Sequence, residues 1–229
     1  MSADGLRRGL VALGDSITVA DVPMMPGVPS RPWALWLAGA LELPYTELAS
    51  HGARAGDVLD VHVPRLRGPY DLACLYVGVN DVRDPGFEAD AYAARLDEIC
   101  ATLGRSADRL ALVSIPLDLG RPRAGAKVAT ANEIIRDRAA EHRGVVVANE
   151  DTRGWREVLP DAVHLTAYGQ LALARRAARA LGASDAPLAA IGLGPRRLAR
   201  YAATGYAPAL ARDSRRRTFE AWRSRTKRG

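Results

Sequence analysis

Short apolar runs separated by amphipathic stretches constrain this chain more than any other feature of its sequence. Five such runs can be placed, Leu10 to Leu13, Tyr45 to Ala49, Leu72 to Val77, Arg109 to Ser114 and Val145 to Ala148. Each is brief and mostly apolar, as strands covered on both faces should be. Helices fill the gaps. Trp33, Trp36, Leu37 and Leu41 repeat at helical spacing after Pro32, and Tyr92, Leu96 and Ile99 mark a second helix ending near Gly104. A third runs from about Ala124 to His142, and a fourth follows Thr166 as N-cap, turns Leu171 and Leu173 inward and stops at Gly182. The pattern predicts an α/β protein with a five-stranded parallel sheet between helical layers. In such sheets ligands bind beyond the carboxyl ends of the strands, so the loops after strands are where chemistry is to be sought.

Composition narrows the class. With 229 residues, 48% of them hydrophobic and 25% charged, the chain can bury one well-formed core. No apolar run reaches the roughly 18 residues needed to span a bilayer. Met1 to Arg8 is short and polar, and the first apolar run leads directly into a candidate nucleophile, which argues against a cleaved leader. Cys74 and Cys100 have neither a disulfide-framework nor a metal-ligand spacing, so a cytoplasmic protein with reduced thiols is expected. The net charge of +6 is unevenly distributed. Residues 183–229 hold eleven Lys or Arg against three Asp or Glu, which leaves a net charge of −2 for residues 1–182. A catalytic unit over 1–182 and a basic, Arg-rich, helical extension over 183–229 are therefore expected.

Three strand ends carry unusual residues. The first run ends in Gly14-Asp15-Ser16-Ile17-Thr18, where glycine permits a tight turn and serine can stand at a helix start; alone this also reads as an Asp/Ser cap. The second is followed by His51-Gly52-Ala53-Arg54-Ala55-Gly56-Asp57, in which Gly56 can bring a backbone N–H to a substrate oxygen or simply serve the turn. The third ends in Gly78-Val79-Asn80-Asp81, where the Asn80 amide can donate to an oxyanion or support its own turn. Near the end of the core, Asp161-Ala162-Val163-His164 puts a carboxylate three residues before a histidine, a spacing that suits a base and its orienter.

In this order and at these distances the four segments resemble the sequence blocks of the SGNH/GDSL serine hydrolases, over roughly Leu10 to Leu181. The resemblance implies a flavodoxin-like three-layer α/β/α sandwich. It implies a carboxylic ester hydrolase with Ser16 as nucleophile, Asp161 and His164 completing a triad, and an oxyanion hole built from the Ser16 and Gly56 N–H groups and the Asn80 side chain. Asp15 would then be structural. Ile17 stands where that family often has leucine, and His51 where its second block often has asparagine. His51 has no carboxylate at the spacing Asp161 offers His164 and reads as turn support, while His62 and His142 read as structural or solvated.

The loops supply candidate substrate contacts. Val22 to Pro29 is a proline-stiffened apolar segment whose Met24 and Met25 can wall an acyl pocket or pack on the helix at Trp33. Arg121, Arg123 and Lys127 sit in the loop after the fourth strand; a solvated loop is the simpler reading, and an anionic leaving group the functional one. Trp155 can stack on a sugar or cover the base. Substrates expected are small-molecule acyl esters, thioesters or acylated sugars, with no cofactor and no metal. Acyl transfer by the same residues is the alternative within the enzyme class. Outside it stand an idle binding module, against which the intact set Ser16, Gly56, Asn80, Asp161 and His164 argues, and a membrane or nucleic-acid adaptor acting through the tail. There Ser214 can cap a last helix carrying Phe219 and Trp222 on one face; the simpler reading is that these aromatics dock on the protein while the arginines are solvated, with a membrane-surface helix and dimerisation through the tail as alternatives.

Overall fold

The computed structural model describes residues 7–23, 25–192 and 194–226, and the side chains among them except those of 217 and 219–226. In chain order the elements are β1 (Leu10–Gly14), α1 (Ser16–Val19), α2 (Trp33–Ala40), β2 (Tyr45–Ala49) and α3 (Ala55–Asp57), which continues through a wide turn at Val58–His62. There follow β3 (Leu72–Tyr76), α4 (Val79–Arg83), α5 (Ala89–Ser106), β4 (Leu110–Val113), α6 (Ala126–Glu141), β5 (Val145–Val147) and α7 (Ala167–Ala180). The chain ends with α8 (Ala186–Ala189), α9 (Pro195–Tyr201) and α10 (Ala207–Thr226).

All strand pairs are parallel and the order is β2-β1-β3-β4-β5, the flavodoxin-like arrangement. Helices α2 and α7 pack together on one face, α5 and α6 on the other. The central strands β1, β3 and β4 are buried at every position, which is why they read as unbroken apolar runs. The strand β2 departs from that expectation, because as an edge strand it leaves Thr46 and Glu47 exposed. The helix expected to end near Gly104 runs on to Ser106: Gly104 faces open space, and one exposed helical glycine costs only about 1 kcal/mol.

The strand ends meet tightly. A Cβ on Gly14, whose φ is +156°, would lie 2.3 Å from the Tyr76 carbonyl oxygen and 2.7 Å from Thr18 Oγ1. Only glycine lets β1 turn into α1 this close to β3. Gly14→Ala is therefore expected to cost about 3 kcal/mol, read as a lowered urea midpoint with an unchanged m-value.

The extension differs from expectation. Helix α10 runs through Ser214, whose carbonyl accepts from Thr218 Oγ1 at 3.0 Å, so Ser214 is an interior residue and not a cap. The helix starts seven residues earlier because Ala207 to Arg212 continue the turn at Ala202–Tyr206 without a break. The side chains of Phe219 and Trp222 lie outside the described ones. Among the described residues no helix is long and apolar enough to cross a membrane.

Candidate active site

The turn after β1 carries Ser16 at the first position of α1. Asp15 is its N-cap, fully buried, with Oδ1 accepting from the Ile17 N–H at 2.9 Å. Burial, reinforced by the charge of Asp81 and countered by that hydrogen bond and by His164, pushes the Asp15 carboxyl up to about 7. Its Oδ2 and the neighbouring Thr18 Oγ1 have no protein partner.

A second loop supplies the histidine. Between β5 and α7 the chain folds back on itself, with Val158 and Leu165 bridged antiparallel, Leu159 N–H donating to His164 O at 2.8 Å and Thr166 N–H to Glu157 O at 2.8 Å. Asp161 sits at the tip, where its Oδ1 accepts from the Val163 and His164 amides at 2.9 and 3.0 Å. A buried polar network anchors the base of this loop: Arg176 of α7 donates to Asn149, Thr152 and Glu157, and Asn149 Nδ2 donates to the Tyr76 hydroxyl. The Gly120 N–H reaches the Ala162 carbonyl at 2.8 Å and fastens the loop after β4 to the same tip.

The two loops meet at the sheet's carboxyl edge. Ser16 Oγ lies 2.9 Å from His164 Nε2, and His164 Nδ1 lies 2.6 Å from Asp161 Oδ2. Burial alone would raise the Asp161 carboxyl, but the hydrogen bonds from His164 and from the Val163 and His164 amides hold it below the usual carboxylate range. A hydroxyl, an imidazole and an ionised carboxylate thus stand in line.

Gln170 of α7, fully buried, holds this geometry and was not singled out from the sequence. Its Oε1 accepts from the Trp33 N–H and its Nε2 donates to the Ile17 carbonyl, both at 2.9 Å, tying α7 to the nucleophile turn and to α2. Its position in sequence, one residue before Leu171 on the inward face, is the only signal that could have found it.

Asn80 and Gly56 lie on facing helix starts. Asn80 Nδ2 donates to the Ala53 carbonyl at 3.0 Å, which leaves its second N–H free for another acceptor. Asp81, also partly desolvated and raised for that reason, accepts the Ala55 N–H at 3.1 Å and so aligns α3 beside α4. The Gly56 N–H is one of the amides that a helix start leaves without an intrahelical partner. A Cβ on Gly56 would meet only Arg95, at 3.7 Å, so neither packing nor a left-handed backbone requires glycine there.

Other candidates are placed elsewhere. Met24 lies outside the described residues. Met25 is buried and closes a turn with Val28. Arg121 and Arg123 both pair with Asp118, and Lys127 donates to the Asp84 and Pro85 carbonyls, so these cations knit their own loop. Trp155 stacks on Tyr201 of α9, with ring centroids 6.2 Å apart, and meets Tyr206 at 6.0 Å. His62 is buried against Ser50 Oγ and His142 pairs with Asp97. Asp97, Glu141 and His142 are close enough to share an ion, and Arg138 lies between the two carboxylates.

The chain is similar to known proteins over most of its length. The model of the GDSL-like lipase/acylhydrolase family matches residues 12–172. Among solved structures, the chain superposes on Axe2, an acetylxylan esterase from Geobacillus stearothermophilus, with a TM-score of 0.60 and 18% identity over 78% of this chain and 95% of that one. LAE5, an alpha/beta hydrolase enzyme from the metagenome of Lake Arreo, Spain, gives 0.61 at 18% identity over 76% and 95%. None of the curated proteins compared matches the chain significantly in sequence. With the match spanning most of its length, the chain belongs to the GDSL-like lipase/acylhydrolase family and is a carboxylic ester hydrolase.

Proposed function

We propose that the chain hydrolyses a small acyl ester through an acyl-Ser16 intermediate, and the observation that carries this is the unbroken Ser16–His164–Asp161 hydrogen-bonded line. His164 Nε2 takes the Ser16 proton as Oγ attacks the acyl carbon, then returns it to the leaving alcohol; water resolves the acyl-enzyme by the same route in reverse. Asp161 fixes the imidazole tautomer and stabilises the imidazolium. The Ser16 and Gly56 N–H groups and the free N–H of Asn80 receive the developing oxyanion, and the missing side chain at Gly56 leaves room for it.

Three further points support the reading. Axe2 has been crystallised as catalytic mutants at a serine, a histidine and an aspartate, the last two at the spacing of His164 and Asp161 here. The side chains of His164 and Asp161 remain 37% and 39% exposed, so water reaches the acyl-enzyme, which favours hydrolysis over transfer to a second substrate. The free, buried Cys74 and Cys100, whose thiols burial pushes up and keeps protonated, suit the reducing cytoplasm. Acetylated sugars are the substrate class we favour, by likeness to Axe2. We assign this activity to residues 1–182 and regard 183–229 as an extension of the hydrolase unit.

Incubation with a fluorophosphonate followed by intact-mass analysis tests the reading. One adduct at Ser16, with turnover of p-nitrophenyl acetate, is expected; folded protein that neither labels nor turns over the ester would overturn it. Asn80→Ala is expected to lower kcat for that ester about 100-fold to 1,000-fold with little change in KM, because the lost donor acts on the oxyanion and not on the ground-state ester.

A further inference from the structure

The basic extension does not stand away from the core. Its Tyr201 and Tyr206 pack around Trp155, beside the loop that carries Asp161 and His164, and the Arg197 guanidinium lies directly against Gly27. Between the extension and the core lies a cleft of about 590 Å³. Two of its walls come from the segments that carry the catalytic pair: Pro23 and Met25 follow the Ser16 helix, and Leu159 donates its N–H to the His164 carbonyl. The third wall is the extension itself, with Tyr201, Arg200 and Arg212. Among the described residues no acidic side chain lines the cleft, and none pairs with either arginine. Both arginines are exposed, and they share the lining of the cleft with Pro23, Met25, Pro26, Leu159 and Ala209.

A guanidinium held beside apolar surface and left without a counter-ion is a receptor for an oxyanion, and a pair of them suits a carboxylate or a phosphate. We propose that this cleft binds an oxyanion on the leaving-group side of the substrate, so that the extension selects esters of acidic, partly apolar alcohols. The inference rests on the ester-hydrolase reading. It assigns the tail's charge to substrate selection, in place of a membrane or nucleic acid.

The test uses the full chain and three acetate esters: neutral p-nitrophenyl acetate, 4-acetoxybenzoate and 4-acetoxyphenyl phosphate. The quantity read is the ratio of kcat/KM for each anionic ester to that for the neutral one, so that intrinsic leaving-group reactivity cancels between variants. In Arg200→Gln/Arg212→Gln the ratio is expected to fall about tenfold or more, and in Arg212→Glu further still, while Arg105→Gln on the distant helix α5 leaves it unchanged. The larger fall identifies carboxylate or phosphate as the ligand. A ratio within twofold of the unaltered chain's for both anionic esters, in both the double variant and Arg212→Glu, would overturn the inference and leave the hydrolase reading intact. If none of the esters is turned over and Ser16 takes no fluorophosphonate, the hydrolase reading fails, and calorimetric titration with inorganic phosphate decides the cleft alone. Saturable heat that disappears in the double variant supports an oxyanion site; no saturable heat in the full chain refutes it.

Discussion

Replacing Ser16 by alanine is expected to lower kcat for p-nitrophenyl acetate by about five orders of magnitude while leaving the unfolding midpoint within a few degrees of its original value. Ser16 Oγ makes one hydrogen bond, to His164 Nε2, and the turn that holds it is fixed by other groups: the Asp15 cap, the Gly14 approach to Tyr76 and the Gln170 bridge to Ile17. Removing the hydroxyl thus removes chemistry and little structure. His164→Ala is expected to cost as much, and the double variant no more than either alone, because the serine is a weak nucleophile without its base and the base idle without its serine. Stopped-flow and steady-state rates of the two single variants and the double variant check this directly. Losses that multiply would show that the two residues act independently, contrary to the 2.9 Å contact between them.

The second large effect concerns stability. Asp15 is raised to about 7 from an ordinary value of 3.8, chiefly by burial. Between those values the folded chain keeps a proton that the unfolded chain has released, so the folded state binds more protons and stability falls as pH rises. The contribution of this group is fully present below about pH 4, declines through the window and is gone above about pH 7. Three pH units at 1.36 kcal/mol each amount to about 4 kcal/mol. Asp15→Asn, which cannot ionise, is expected to flatten the stability profile between pH 4 and 7 and to be the more stable of the two at pH 8. Urea unfolding at pH 4, 5.5, 7 and 8 measures it; parallel profiles for the two proteins would mean that Asp15 stays ionised in the fold.

Much of the fold is legible in the sequence because doubly covered strands must be apolar throughout, and the buried runs at Leu10, Leu72 and Leu110 have no other use for that composition. The candidate site is legible for a related reason: glycines and polar residues at the strand ends Gly14-Asp15-Ser16 and Gly78-Val79-Asn80 are costly there unless a turn or a ligand needs them. What escaped the reading depends on contacts between distant segments. Gln170 reads as a polar helix position until α7 is seen to lie against Ile17 and Trp33. Trp155 reads as a free stacking platform until Tyr201, 46 residues later, occupies its face. The exposed positions of β2 are the polar Thr46 and Glu47 of the run, but that this strand takes the edge of the sheet is set by the strand order. The cations that looked available, Arg121 and Arg123, share Asp118 three and five residues away, whereas Arg200 and Arg212 in the extension line a cleft that holds no acidic side chain among the described residues.

The line from Ser16 to His164 joins residues 148 positions apart, and the Gln170 bridge spans 153. During synthesis on the ribosome the nucleophile turn emerges 148 residues ahead of its base, and the amide that clamps the two later still. Nascent and truncated chains therefore carry a serine with nothing to activate it. Ester cleavage can begin only once α7 has docked on the finished sheet, so activity doubles as a report that everything from β1 to α7 has been assembled.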